Sequence, residues 1–210
     1  NTTGTQNVAV GTNALDANTT ANNNTAVGYN ALTANTTGSN NTALGKDSLS
    51  SMQTGIRNTG CGAFTLFAAT GDHNTATGYN ALGLTTSGEY NTAVGSGALD
   101  SNTTASNNTA VGYNSLQENT TGIQNVAVGA NALDANTTAS NNIAIGYLSL
   151  TANTTGTANV GVGVNTIADN TTGDFNTALG HQALKNNETA DNNTAVGTNA
   201  LLANTTGASN

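Results

Sequence analysis

Apolar and polar positions alternate along this chain with a period of seventeen residues, the unit reading N-x-A-V-G-x-x-A-L followed by a polar tract that usually begins N-T-T. The period is anchored by Gly11, Gly28, Gly45, Gly62, Gly78, Gly95, Gly112, Gly129, Gly146, Gly163, Gly180 and Gly197, and only the Gly62 to Gly78 step departs from it, at sixteen. A fixed short period over the whole chain predicts one small unit stacked on itself. Apolar residues do not recur at i, i+3, i+4 and i+7, and seventeen residues fall short of the roughly thirty or more of a helical-hairpin repeat. The unit suits one coil of an all-β parallel β-solenoid, a β-roll, with two strands of about five residues joined by turns of Asn, Thr, Gly and Asp. About twelve such coils at roughly 4.8 Å predict a rod on the order of 57 Å long.

Aligned on the glycine, the columns acquire physical meanings. Asn stands four before it in every coil, as at Asn24, Asn108 and Asn125, where a residue tolerant of left-handed backbone suits a tight corner and stacked amides can form a ladder. Asn24, Gly28, Asn108, Gly112, Asn125 and Gly129 are therefore expected to be structural anchors. The slot before Gly is Val, Leu or Ile in most coils, as at Val94, Val111 and Val128, and is expected to be interior; Cys61 takes this slot once and is expected to be a buried, unreactive thiol. The preceding slot is always Ala or Gly, and adjacent strand residues point to opposite faces. Ala93, Ala110 and Ala127 are thus expected on a second buried face that meets another chain, a candidate oligomer face. Leu15, Leu32, Leu49, Leu99, Leu116 and Leu133 are expected to fill the coil. The N-T-T or N-x-T segments at Asn18, Asn35, Asn102, Asn119, Asn136, Asn153, Asn170 and Asn204 read as exposed outer corners and, in a secreted eukaryotic product, as glycan acceptors.

Composition narrows the function. Apolar residues make up 36% and charged residues 7%, values that suggest disorder unless small residues recur at fixed slots, as they do here. A net charge of −8 with only Lys46, Arg57 and Lys185 as basic residues argues against nucleic acid as a partner. No apolar run reaches the eighteen or more residues of a membrane span, so direct membrane insertion is not expected. Residues 1–210 read as a single tandem-repeat domain with an irregular coil at 63–73, which holds the deletion and two of the three Phe residues. The chain opens and closes at the same point of its cycle, which suggests a segment of a longer fibre.

The run N-T-A-V-G-Y-N-A-L at Asn24 to Leu32, nearly repeated at Asn108 to Leu116, resembles the head repeats of YadA-like trimeric autotransporter adhesins. It also resembles the tandem N-T-A-V-G-x-x-A-L arrays of phage tail-fibre-like and bacterial surface proteins. The resemblance implies a left-handed β-roll in which three chains pack about a common axis, an extracellular, cell-surface or virion location, and attachment to a host surface or glycan receptor. The adhesin repeat is about fourteen residues, so the three additional residues per coil are a departure.

Chemistry is sparse. His73 and His181 occupy unrelated slots without repeated carboxylate partners, the acidic residues do not build a calcium-binding G-G-x-G-x-D pattern, and no phosphate-cradling motif stands in a strand-to-helix context. No catalytic residue, cofactor or metal site is expected. The chain is therefore read as a structural segment of an extracellular fibre that self-associates, as a homotrimer and into longer filaments. The alternatives are an ice- or carbohydrate-binding solenoid using Thr and Asn rows such as Thr19–Thr20 and Thr120–Thr121, and a carbohydrate-processing β-helix enzyme.

Overall fold

The computed structural model describes residues 1–210 as an all-β parallel solenoid without helix. Its strands are β1 Val8–Val10, β2 Thr25–Val27, β3 Thr42–Leu44, β4 Thr59–Cys61, β5 Thr75–Thr77, β6 Thr92–Val94, β7 Thr109–Val111, β8 Val126–Val128, β9 Ile143–Ile145, β10 Val160–Val162, β11 Thr177–Leu179 and β12 Thr194–Val196. They form one parallel sheet in chain order, with like residues in register, as in Ala93↔Ala110 and Ala110↔Ala127. Each coil thus contributes one strand of three residues, where two of about five were expected, and the rest is turn.

Backbone geometry explains the short strand. Gly28 leaves β2 at φ 139°, and a Cβ there would lie 2.5 Å from the carbonyl oxygen of Gly45 in the next coil, so only glycine fits. The chain then reverses: the Ala31 N–H donates to the Gly28 carbonyl at 3.4 Å with Asn30 at φ 53°, the positive third-position angle of a type II turn, which Asn tolerates. Leu32 follows at φ 51°, a conformation that costs a non-glycine residue roughly 1–2 kcal/mol. Its side chain is completely buried, and the roughly 1.5–3 kcal/mol gained by burying a leucine offsets that cost. The turns also pair between coils, the Leu32 N–H donating to Ser48 O at 3.0 Å, so hydrogen bonding between coils continues beyond the sheet.

The Leu column fills the interior as expected, with Leu32, Leu49, Leu66, Leu82, Leu99 and Leu116 among the buried residues. The two strand faces are the reverse of the expected ones. Ala93, Ala110 and Ala127 point into the coil and are completely buried, so they cannot meet another chain, whereas Val111 and Val128 point outward and are 37% and 36% exposed. Interior width is the reason. At Gly60, which takes the Ala slot in β4, a Cβ would lie 2.5 Å from Ser48 Oγ and 2.7 Å from Thr65 Oγ1, which stand where most coils have the smaller Ala, as at Ala31 and Ala81, so there even a methyl is excluded. The Ala column is small because its own coil is narrow. Branched side chains are accommodated only outside.

The sixteen-residue step leaves the register intact, Thr59 pairing with Thr75 and Gly60 with Ala76. The missing residue falls at the outer corner, where Thr70-Gly71 replaces the Thr-Thr-Gly of Thr36 to Gly38. An outer corner can shorten without moving the strand.

Candidate functional site

Two Asn columns hold the coils closed and stacked. The anchor Asn24 donates through Nδ2 to the Gly38 carbonyl of its own coil at 2.8 Å, and its Oδ1 accepts the Asn41 backbone N–H of the next coil at 2.9 Å. Asn108 and Asn125 do the same, donating to Gly122 O at 2.9 Å and Ala139 O at 2.8 Å. Their ladder therefore runs mainly from side chain to backbone. Gly112 and Gly129 repeat the tight approach of Gly28, at φ 141° and 137°.

The second column is the Asn of N-T-T, expected at exposed corners. Asn18, Asn35, Asn102, Asn119, Asn136, Asn153 and Asn170 are buried, and Asn204 is partly buried at the last coil. Here the amides pair directly: Asn136 Nδ2 donates to Asn119 Oδ1 at 2.8 Å and to Ala139 O at 3.1 Å, while its own Oδ1 accepts from Asn153 Nδ2 at 3.2 Å. A glycan on such a nitrogen would displace a buried donor, so these are structural amides. The column is interrupted by Met52, Ala69 and Thr85. Asn35 Oδ1, facing that gap, is buried without a hydrogen-bond partner.

The corner Thr rows are also partly committed. Thr120 Oγ1 donates to Thr137 O at 3.0 Å and Thr154 Oγ1 to Thr171 O at 3.0 Å, leaving only the second Thr of each pair free.

The outward face of the sheet is the principal surface feature. From β2 onward the middle strand residue is buried while the residues on either side of it are not, so positions i and i+2 form two outward columns. The first is Thr from β2 to β7 and in β11 and β12, and Val or Ile in β8 to β10; the second is Val, Leu or Ile except for Cys61 and Thr77. No charged residue occurs in either column over all twelve strands. Cys61 is half-buried on this face and is not an interior thiol. The signal for this face is the β-branched residue two before each Val, which shares its side of the strand; the all-small column between them is the inward one.

Coils around β3 to β6 add a local departure. On the edge that precedes the strands, Arg57 Nη1 lies 3.1 Å from His73 Nε2, and the His73 ring stacks on Tyr90 with centroids 4.8 Å apart. On the edge that follows them, Lys46 Nζ sits 5.1 Å from the Phe64 ring centroid, and Phe64 meets Tyr79 edge-on at 5.8 Å and Phe67 at 6.1 Å. His181 lies in another column, far along the chain from His73.

Among the acidic groups, burial, followed by the charge of Glu118, holds the Asp100 carboxyl above its usual 3.8. Its Oδ1 accepts from Asn80 Nδ2 at 2.6 Å. Comparison of the chain with protein-family models, curated proteins and solved structures finds no match.

Proposed function

We propose that this chain is a non-catalytic structural segment of an extracellular fibre or filament, a rod that associates with copies of itself through the outward face of its sheet. The observation that carries the reading is the uncharged double column of Val, Ile, Leu and Thr, with Cys61 as its one other residue, along all twelve strands of a chain whose net charge is −8. A strip roughly 57 Å by 10 Å is on the order of 570 Å², at the upper end of the roughly 300–600 Å² typical of the largest patch on a monomer. Burying it between copies removes apolar surface from water and keeps the acidic groups outside the contact. Three chains about one axis, as in the YadA-like adhesins it resembles, is the arrangement we favour, with surface attachment as the role of the assembled rod.

Light scattering at micromolar concentration tests the reading. The expected result is a stable oligomer that Val128→Asp with Ile145→Asp converts to monomer, and whose Cys61 reacts with a thiol reagent more slowly than in that monomer. A monomeric parent chain overturns it.

One observation favours a second reading. Thr25, Thr42, Thr59, Thr75, Thr92 and Thr109 stand in register on six adjacent strands, an outward and partly exposed rank of hydroxyl and methyl groups suited to ordered water or ice. Thermal hysteresis in the monomeric state, abolished by Thr75→Tyr with Thr92→Tyr, is its test.

A further inference from the structure

We propose that, in the parallel arrangement that the proposed function adopts, a clasp at β3 to β6 sets the register between chains: the Arg57–His73–Tyr90 edge of one chain packs against the Phe64–Tyr79 edge of the next copy. This rests on the self-association reading and identifies how that contact is specified.

The distribution of side chains along the outward face favours parallel chains. Strands β8 to β10 carry Val126, Val128, Ile143, Ile145, Val160 and Val162, the only stretch in which both columns are wholly aliphatic over three successive strands. Antiparallel copies matched over twelve strands would set β8, β9 and β10 against β5, β4 and β3, where Thr42, Thr59, Thr75, Thr77 and Cys61 stand. Parallel copies in register set the aliphatic stretch against itself. The aliphatic stretch is then buried against aliphatic groups of the neighbouring copies, while elsewhere the Thr column of one chain lies beside the largely aliphatic column of the next.

Parallel packing about an axis along the rod has a second geometric consequence. The edge that precedes the strands in one chain lies beside the edge that follows them in its neighbour, at the same height, because such a contact joins two different patches and closes into a ring. These are the two edges on which Arg57, His73, Tyr90, Lys46 and Phe64 cluster; Tyr79 shares its slot with Tyr29, Tyr113 and Tyr147, and Phe175 shares that of Tyr90, so Arg57, His73, Lys46 and Phe64 are what distinguish these coils. Arg57, His73 and Tyr90 each stand two residues before β4, β5 and β6; Lys46 and Tyr79 stand two residues after β3 and β5, and Phe64 three after β4. No aromatic or cation contact joins the two groups within one chain.

Lys46 already occupies the Phe64 ring, so the ring surface open to a neighbouring Arg57 is that of Tyr79. Arg57 is exposed and has no carboxylate within ion-pair distance, whereas Lys46 already has Asp47 at 3.8 Å. Tyr79 is 60% exposed and Tyr90 54%, so each offers ring surface beyond its contacts within the chain. A guanidinium over a Phe or Tyr ring is favourable when water is excluded, and aromatic pairs add to it.

The test is a double-mutant cycle on assembly, using the whole chain. One edge is altered by Arg57→Gln with Tyr90→Ala and the other by Tyr79→Ala, all three at exposed positions, so each variant is expected to fold; Phe64→Leu serves as a second variant of that edge. Either edge alone should raise the dissociation constant of the assembly about tenfold, and both together should raise it no further. Because the edges do not touch within a chain, such coupling arises only between chains. A bifunctional thiol cross-linker should join Cys61 to Cys61 in the parent assembly. Independent, multiplying effects, or none, in an intact oligomer overturn the clasp while leaving self-association standing. Failure of Cys61 cross-linking in that oligomer overturns the parallel register. A monomeric parent overturns both.

Discussion

The coils carrying Asn119, Asn136 and Asn153 and those carrying Met52, Ala69 and Thr85 are the same unit built with and without one buried hydrogen-bonded column. In the first group each amide is both donor and acceptor to its neighbours in the stack. In the second the column is broken, Asn35 Oδ1 is left unpartnered, and Asn102 Nδ2, which keeps its bond to Ala105 O at 3.1 Å, meets in the preceding coil only Thr85 Oγ1, at 3.5 Å. The strand register nevertheless passes through both without a break. The difference teaches that the anchor Asn and Gly columns suffice to stack the coils. The second Asn column is an additional stabiliser that the chain can forgo, and the interrupted coils are those that carry Arg57, His73, Tyr90 and the Phe64 cluster.

The largest effect should come from the interior, which both groups share. Ala127→Asp places a carboxylate in a completely buried slot and should cost several kcal/mol, as should Ala76→Asp among the interrupted coils. Thermal melting checks both, and a marked tolerance at Ala76 would break the claim that the two groups share one interior. The neighbouring Val128→Asp, on the outward face, should change the melting of the monomeric chain by no more than about 0.5 kcal/mol.

A smaller effect separates the groups directly. Asn136→Ala removes an amide that bonds on both sides and should cost about 2–3 kcal/mol, whereas Asn35→Ala removes one whose acceptor is already idle and should cost about 1 kcal/mol less. Denaturant melts of the two variants compare them; equal losses would show that the ladder carries no energy beyond its local bond. Native-state hydrogen exchange should likewise find the Thr36 to Thr70 amides opening before those of Thr120 to Thr154, by local unfolding of the less-bonded coils.

The smallest effect concerns pH. The Asp100 carboxyl titrates above 3.8 because burial, and then Glu118, penalise its charged form. That stability is complete below 3.8 and is lost as pH rises through the raised value. Asp100→Asn should therefore be slightly more stable than the parent at pH 7, by less than about 1 kcal/mol, with the difference closing as pH falls below 3.8. Melting curves across that window check the sign.

Much of this was legible in the residues. The glycine spacing supplied the coil number, the absence of helical periodicity supplied the fold class, and the Leu column was interior as its hydrophobicity required. The corner Asn is not legible in the same way, because N-T-T is equally good turn chemistry and good ladder chemistry, and only stacking turns Asn136 inward onto Asn119. Cys61 was misplaced with its column.

Local chemistry by itself determined that this chain stacks: a glycine that alone fits φ near 139° with a carbonyl at its back, an Asn that bridges two coils, and a period that repeats both. Which side of each strand is inside was decided only by the tertiary structure. Alternation in T-A-V says that Ala and Val face opposite ways and that Thr joins Val, but the inward choice depends on the width of the coil. With the Leu column and a facing column of Ala, Ser or Thr filling that width, space remains for a methyl, and beside Ser and Thr together only for a hydrogen, so alanine is enclosed and the branched residues are turned outward.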